Sequence, residues 1–165
     1  MLLAIDPGTT ESAYVVYDGE RPVRFGKIAN TDMLTEIASI QKTCRQCCIE
    51  MIGHYGTGMP AGKEVFETCV WIGRFIEVWN NRSTRDADRV MRKTVAAYMC
   101  GSARAKDGNI RQAIIDRYGG PDAIGKKKTP GPLYGISGDV WQALAVAITY
   151  HEQPKSALAI ETIEP

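Results

Sequence analysis

The sequence predicts a single α/β domain, and three observations support that prediction. The chain has 165 residues, 44% of them hydrophobic and 24% charged, which is the composition of an ordinary globular protein with one buried core. Short runs of strand-forming residues open the chain, and amphipathic helical patterns follow them. No apolar run reaches the ~18 residues of a membrane-spanning helix, so we expect no membrane partner.

Three strands are predicted at the start. The run LLAID ends in the turn signal Asp-Pro-Gly, SAYVVYD is rich in strand formers, and PVRFGKI alternates apolar and polar residues. A helix capped by Thr31 is expected over about residues 31–41. The strand CCIEMI and a Gly-rich loop follow it.

The longest predicted helix runs from about Gly62 to Trp79 and is apolar on more than one side. Spacings of four and three residues predict its core face as Val65, Cys69, Ile72, Ile76 and Trp79. The aromatic residues Phe66, Trp71 and Phe75 widen the apolar surface beyond that face. Such a surface is typical of a subunit interface, so we predict a homodimer; the alternative is a larger core within one subunit.

The second half of the chain alternates helices with basic loops. Residues 89–100 are predicted as a helix or a strand followed by a helix, and residues 107–118 as a helix ended by two glycines. Residues 120–137 contain seven Gly or Pro residues around three lysines and are expected to form a mobile loop. The last apolar helix begins near Gly138.

The folded domain is therefore placed at residues 1–152, and residues 153–165 are expected to be a frayed tail. The chain has an odd number of cysteines and no predicted signal peptide, which favours reduced thiols in a cytoplasmic protein. Ordinary core packing is expected for most of these thiols, which are Cys44, Cys47, Cys48, Cys69 and Cys100.

The positive charge is unevenly distributed. Residues 72–128 contain 13 Lys and Arg against 6 Asp and Glu, whereas the rest of the chain contains 7 against 13. A basic region of this kind is either a phosphate-binding face or a solvated surface rich in arginine.

Three carboxylates stand out by their positions. Asp6 ends the first strand, Glu50 lies between Ile49 and Met51, and Asp139 opens an apolar helix. A carboxylate at a buried position is costly unless it is paired, and three of them can converge on Mg²⁺ or Mn²⁺. The alternatives are structural: Asp6 accepts hydrogen bonds from turn amides, and Asp139 is favoured by the helix dipole.

The chain resembles the RuvC-type crossover junction endonucleases, particularly the phage-encoded ones. The resemblance extends from Leu2 to about Tyr150, through the segments IDPGTT, CIEMI, GKEVFETCVWIGRF, CGSARAKDGNIRQAIIDRYG and GISGDVWQALAVAITY. It implies an RNase H-like fold, a mixed five-stranded sheet flanked by helices. It also implies a homodimeric nuclease of DNA recombination and repair, acting in the cytoplasm of a bacterium or a phage-infected host. Such an enzyme resolves four-way (Holliday) junctions and leaves 5′-phosphate and 3′-hydroxyl ends.

The resemblance further implies two Mg²⁺ or Mn²⁺ ions per active site. Asp6 would bridge the ions, and Glu50 and Asp139 would complete the cluster. Gln142 stands where cellular members carry a further acidic or His ligand, and an amide brings no charge. Asp107 is a possible replacement, but its sequence context favours an N-cap of the following helix.

Candidate DNA contacts follow from residue type and position, and the resemblance implies cationic groups near the scissile phosphate at Arg104 and Lys106. Lys106 is expected to stabilise charge in the transition state, and Tyr55 to stack on an unpaired base. The remaining candidates are hydroxyl or basic residues able to meet phosphates: Thr9, Lys63, Arg74, Arg104, Lys126, Lys127 and Lys128. The alternative for each cation is a solvated surface charge, and for Tyr55 a ring folded back on the protein.

Two other functions compete with junction cleavage. A junction-binding protein with a weakened active site is suggested by the neutral Gln142. A nucleotide-binding protein of the actin-like or sugar-kinase group is suggested by IDPGTT, because a similar turn binds phosphates there. The length argues against the second, since those proteins enclose the nucleotide between two such lobes. Whether Y-forks and flaps are also cut is left open by the sequence.

Overall fold

The computed structural model describes residues 1–53 and 61–158, which form a mixed five-stranded sheet with helices on both faces. The strands are β1 (Leu2–Asp6), β2 (Glu11–Tyr17), β3 (Pro22–Ala29), β4 (Gln46–Met51) and β5 (Asp88–Met91). Their order in the sheet is β3-β2-β1-β4-β5. The first three strands pair antiparallel, and β1 pairs parallel with β4, as β4 does with β5. The predicted fold class is confirmed.

Two helical layers cover the sheet. On one face lie α1 (Asn30–Ile40) and α2 (Lys63–Asn80). On the other lie α3 (Arg92–Cys100), α4 (Asp107–Arg117), α5 (Val140–Glu152) and the short α6 (Lys155–Leu158). In the part of the chain that is described, no helix is both long and apolar enough to cross a membrane.

Alternation along β1 divides its side chains between two cores. Leu3 and Ile5 pack with α1 and α2, whereas Leu2 and Ala4 face α5. Every residue of α5 from Val140 to Tyr150 is buried, as expected for a helix that is apolar all round. This helix begins close to the carboxyl end of β1, because Asp139, directly before it, lies near enough to Asp6 to raise the pKa of that carboxyl group.

The core face of α2 differs from the predicted one. The buried residues are Thr68, Ile72, Phe75 and Trp79, which also follow helical spacing but lie partly to one side of the predicted stripe. Phe75 is fully buried, so its prediction as a dimer residue is wrong; it packs inside the subunit core. Trp71 is half-buried beside it, and Phe66 is 63% exposed.

Two smaller predictions are also corrected. Thr31 does not cap α1; Ala29 precedes the helix, and no side chain caps it. The predicted mobile loop contains a hairpin of β6 (Gly125–Lys126) and β7 (Thr129–Pro130).

The predicted tail begins with ordered structure rather than fraying. In α6, Leu158 is buried, and Lys155 Nζ donates to Asp88 Oδ2 at 2.8 Å. The core therefore extends to residue 158, and residues 159–165 lie outside the described residues. The thiols of Cys44, Cys47 and Cys48 are free and buried, as predicted.

Candidate active site

Asp6 and Glu50 lie side by side at the carboxyl ends of two parallel strands. The register places Ile5 of β1 opposite Ile49 of β4, so the next residue of each strand is one of the two carboxylates. Both side chains point to the α5 face, because the side chains of a strand alternate between faces. They line an open cavity of about 210 Å³, together with Pro7, Met51, Ile52, Gly53 and Arg92.

Both carboxyl groups resist ionisation. Burial raises the pKa of Asp6 well above its usual range, and the negative charges of Glu50 and Asp139 raise it further. Burial also raises the pKa of Glu50, although the nearby Arg92 guanidinium acts in the opposite direction. Glu50 is 6% exposed, and its Oε1 has no hydrogen-bond partner among the residues described. A pair of this kind is stabilised by a shared proton or by a cation.

The turn after Asp6 is held by a small buried network. The Gly8 N–H donates to Ser12 Oγ at 3.1 Å, and Ser12 Oγ donates to Asn30 Oδ1 at 2.6 Å. Asn30 Nδ2 donates in turn to the Gly8 carbonyl at 2.9 Å. A Cβ on Gly8 would lie 2.4 Å from the Glu11 carbonyl oxygen, so the turn requires glycine there. Thr9 lies in this turn and is half-buried.

Arg92 connects the carboxylate pair to the helices. It is the first residue of α3, directly after β5. Its Nη1 lies 3.8 Å from Glu50 Oε1 and donates to Gln142 Oε1 at 3.3 Å. Its Nη2 pairs with the Asp107 carboxylate. The predicted N-cap role of Asp107 is therefore wrong: Lys106 occupies the N-cap position, and Asp107 begins α4 as an ion-pair partner.

Asp139 lies at the other side of the site and is already paired. It is the residue that precedes α5, and its side chain is 54% exposed. Lys27 Nζ lies 2.8 Å from Asp139 Oδ2 and 3.9 Å from Glu11 Oε2. Gln142, one turn into α5, is buried. Within residues 1–53 and 61–158, no three His, Cys, Asp or Glu side chains are arranged to hold a metal ion.

The other predicted contacts fall into separate regions. Arg104 and Lys106 are exposed in the segment before α4, and Lys126, Lys127 and Lys128 are exposed on the β6–β7 hairpin. Tyr55 lies outside the described residues.

Two of the predicted DNA contacts lie on α2, in the opposite helical layer. Lys63 pairs there with Glu67 at 3.2 Å. The Arg74 guanidinium lies 4.2 Å from the centre of the Trp71 ring. Both cations therefore already have partners on their own helix.

Sequence reasoning missed Ser12, Asn30 and Arg92. Short polar residues such as Ser12 and Asn30 give no pattern that marks them as buried. One feature of the sequence could have identified Arg92: it is a cation directly after the strand that lies beside Glu50 in the sheet.

Solved structures of the same fold are known. No protein-family model matches the chain, and no curated protein matches it. A structure of Thermus thermophilus RuvC matches with a TM-score of 0.58 and 14% identity, over 90% of this chain and 91% of that chain. T. thermophilus RuvC in complex with Holliday junction substrate matches with a TM-score of 0.62 and 14% identity, over 90% of each chain. The predicted RuvC-type, RNase H-like fold is confirmed.

Proposed function

We propose that this protein is a metal-dependent endonuclease that cuts branched DNA, Holliday junctions above all. The observation that carries the proposal is the Asp6–Glu50 pair: two neighbouring carboxylates with raised pKa values, at an open cavity. They stand at the ends of adjacent strands in a fold shared with T. thermophilus RuvC, which has been solved with a Holliday junction substrate.

The donor set of this pair fits a hard divalent cation. Carboxylate oxygens are the ligands that Mg²⁺ and Mn²⁺ prefer, and the unpartnered Oε1 of Glu50 is a buried acceptor without a donor among the described residues. Asp6 and Glu50 would hold the cation, and Asp139 would join them if Lys27 released it. A bound cation supplies Lewis-acid polarisation of the phosphate and a more acidic water.

The proposed reaction is hydrolysis of a phosphodiester. A water oxygen bonds to phosphorus and releases a proton to solvent, while the P–O3′ bond breaks and the 3′-oxygen takes up a proton. The products are a 5′-phosphate and a 3′-hydroxyl. Lys106 is proposed to donate to the phosphate as its negative charge increases. Its position at the start of α4, next to the Arg92 partner Asp107, supports that role.

DNA would lie across the side of the molecule that carries the cavity. Thr9 and Arg104 are proposed to contact phosphates near the cut, and the three lysines at 126–128 to contact an arm of the junction. Lys63 and Arg74 remain predictions; their position on α2 suits contact with a second arm.

A homodimer is proposed to bring two such sites to one junction. The exposed face of α2 carries Phe66 and Val70, each 63% exposed, and Trp71 is half-buried beside them. Burial of these apolar side chains against a second copy would stabilise the dimer. Two sites would then cut two opposed strands of the junction.

The test is cleavage of a labelled synthetic four-way junction with Mg²⁺, Mn²⁺ or EDTA. We expect paired symmetric cuts that need the metal, and no cuts in a linear duplex of the same arm sequence or with Asp6→Asn protein. Y-forks and flaps in the same assay measure the breadth of substrates. Equal cutting of duplex, or cutting in EDTA, would contradict the proposal.

One observation favours a second candidate, a junction-binding protein with weak catalysis. On the α5 side of the site, Gln142 is neutral and Asp139 is paired with Lys27. Tight junction binding without cleavage in either metal would establish this function instead.

A further inference from the structure

The Arg92 guanidinium lies between Glu50 and Gln142, two of the side chains that the sequence predicted as metal ligands. Three side chains with oxygen atoms surround it. Gln142 from α5 accepts a hydrogen bond, Asp107 from α4 forms an ion pair, and the Glu50 carboxylate of β4 lies 3.8 Å away, beyond hydrogen-bond distance. These side chains come from three separate elements, so the guanidinium lies between the sheet and two helices. Arg92 also lines the same cavity as the carboxylate pair.

This arrangement disagrees with the two-ion prediction. In that prediction, Gln142 and Asp139 help to hold the second ion. In the structure, Gln142 Oε1 accepts an N–H from Arg92 at 3.3 Å, and Asp139 pairs with Lys27 at 2.8 Å. A second divalent cation beside Gln142 would have to lie against a guanidinium, which is always charged.

The charge balance of the site also favours one ion. The cavity itself is lined by two carboxylates, Asp6 and Glu50, and by one cationic side chain, Arg92. With both carboxylates ionised, the net charge of this lining is −1. One divalent cation would leave the cavity at +1, whereas two would leave it at +3 and would repel each other and Arg92.

We infer that the site binds one divalent cation, at Asp6 and Glu50, and that Arg92 supplies the second positive charge to the scissile phosphate. This inference rests on the proposed nuclease function. The guanidinium donates N–H groups to phosphate oxygens in the hydrolysis described above and gains or loses no proton. Its planar fork suits a phosphate better than a lysine does.

The first test counts bound ions by calorimetric titration of the full-length protein with Mn²⁺, without DNA. We expect one Mn²⁺ per chain. Two ions, or none, would overturn the inference. Because no DNA is present, the count is independent of junction cleavage. A protein that binds one ion but cuts no DNA would lose the proposed function and keep the single-ion centre.

The second test separates the proposed role of Arg92 from a merely structural one. In Arg92→Gln, Mn²⁺ affinity should rise by about tenfold, because a neighbouring positive charge is removed. Junction cleavage should fall by about 10²-fold, because a donor to the phosphate is lost. A loss of both affinity and cleavage would indicate a structural role and overturn the inference.

Two further variants control for charge and for folding. Arg92→Lys keeps the charge and should bind one Mn²⁺ with nearly native affinity. Its rate of junction cleavage should lie between the rates of the wild type and of Arg92→Gln. Arg89→Gln removes an exposed cation from β5, the strand directly before Arg92, on the face of the sheet that α1 and α2 cover, and should leave affinity and cleavage unchanged. An Arg89→Gln effect equal to that of Arg92→Gln would overturn the assignment.

The third test rebuilds the two-ion site. The double variant Arg92→Gln with Gln142→Asp replaces the guanidinium by a shorter, uncharged amide and replaces the amide at position 142 by a carboxylate. We expect it to bind two Mn²⁺ ions per chain. Continued binding of a single ion would overturn the conclusion that Arg92 takes the place of the second.

Discussion

The two sides of the candidate site differ in what balances their charge. On the sheet side, the carboxylate of Glu50 is buried, and its Oε1 lacks a hydrogen-bond partner among the described residues. On the helix side, Asp139 pairs with Lys27, and Gln142 accepts from Arg92. The sheet side therefore keeps a buried acceptor for a shared proton or a cation, whereas the groups of the helix side are already paired within the chain.

The difference shows how burial decides which carboxylate needs a ligand. A side chain that is half exposed keeps much of its hydration, and its ion pair contributes at most about 1 kcal/mol. A carboxylate at the end of a buried strand has lost that hydration and is costly without a partner. Within this site, the carboxylates that gain most from a bound cation are therefore those on β1 and β4.

The largest expected effect comes from the sheet side. Replacing Asp6 by Asn or Glu50 by Gln keeps the shape and removes the charge that holds the cation. We expect metal-dependent junction cleavage to fall by at least about 10³-fold, or about 4 kcal/mol. Junction binding, measured by gel shift in EDTA, should be retained.

The matched control for this prediction is Asp86→Asn, which removes a carboxylate from the exposed loop before β5. It should cleave at the wild-type rate. A loss of less than tenfold in Asp6→Asn would show that the buried pair is not the centre of the reaction.

The sheet side was the part of the site that the sequence could predict. Asp6 follows an apolar run, and Glu50 interrupts one, so each stands out against its neighbours. The parallel pairing of β1 with β4 then brings them together. The local pattern singled out the two carboxylates, and the topology implied by the family resemblance predicted that they meet.

The helix side depends on contacts that no local pattern contains. Arg92 is one of many arginines in a basic segment. Only the packing of α3, α4 and α5 shows that its partners are Asp107 and Gln142. The choice of the buried face of α2 is a similar case. Apolar residues lie all around this helix, so periodicity alone did not show that Phe75 faces the core.

Loss of the buried hydrogen-bond network under the turn should have the next largest effect, on the stability of the fold. Asn30→Ala removes the acceptor of Ser12 and the donor to the Gly8 carbonyl. Leaving buried polar groups unpaired costs about 1–3 kcal/mol, so we expect urea unfolding to show a loss of about 2 kcal/mol.

Asn81→Ala is the matched control for Asn30→Ala. Asn81 is exposed, and its side-chain amide donates to Glu77 Oε1. The change should therefore stay within about 0.5 kcal/mol. Equal losses of unfolding free energy in the two variants would show that the hydrogen-bond network under the turn does not stabilise the fold.

The raised pKa of Asp6 predicts that the metal-free protein is less stable at higher pH. Its folded-state pKa lies above the unfolded value of about 4, so this contribution to stability is complete below about pH 4. It is lost as the pH rises through the folded-state pKa. We expect the Tm in EDTA to fall by about 2–4 °C per kcal/mol lost.

Two measurements separate this effect from general titration. Mn²⁺ should raise the Tm more at about pH 8 than at about pH 5, because the ionised pair binds it. Asn at position 6 cannot titrate, so Asp6→Asn should show a smaller fall in Tm with pH than the wild type. Parallel Tm curves for the two proteins would contradict the assignment of the effect to Asp6.

The smallest expected effect belongs to the helix side. Lys27→Gln removes an exposed cation near Asp139, and Mn²⁺ affinity should rise by less than about fivefold, within the range of an exposed ion pair. Salt screens such an exposed charge, so the gain should disappear at about 0.5 M salt, while the gain in Arg92→Gln persists. Lys42→Gln, at an exposed position after α1, should show no gain at any salt concentration. A Lys27→Gln gain that is as large as that of Arg92→Gln and insensitive to salt would show that both sides of the site bind the cation, because only a charge shielded from solvent escapes screening.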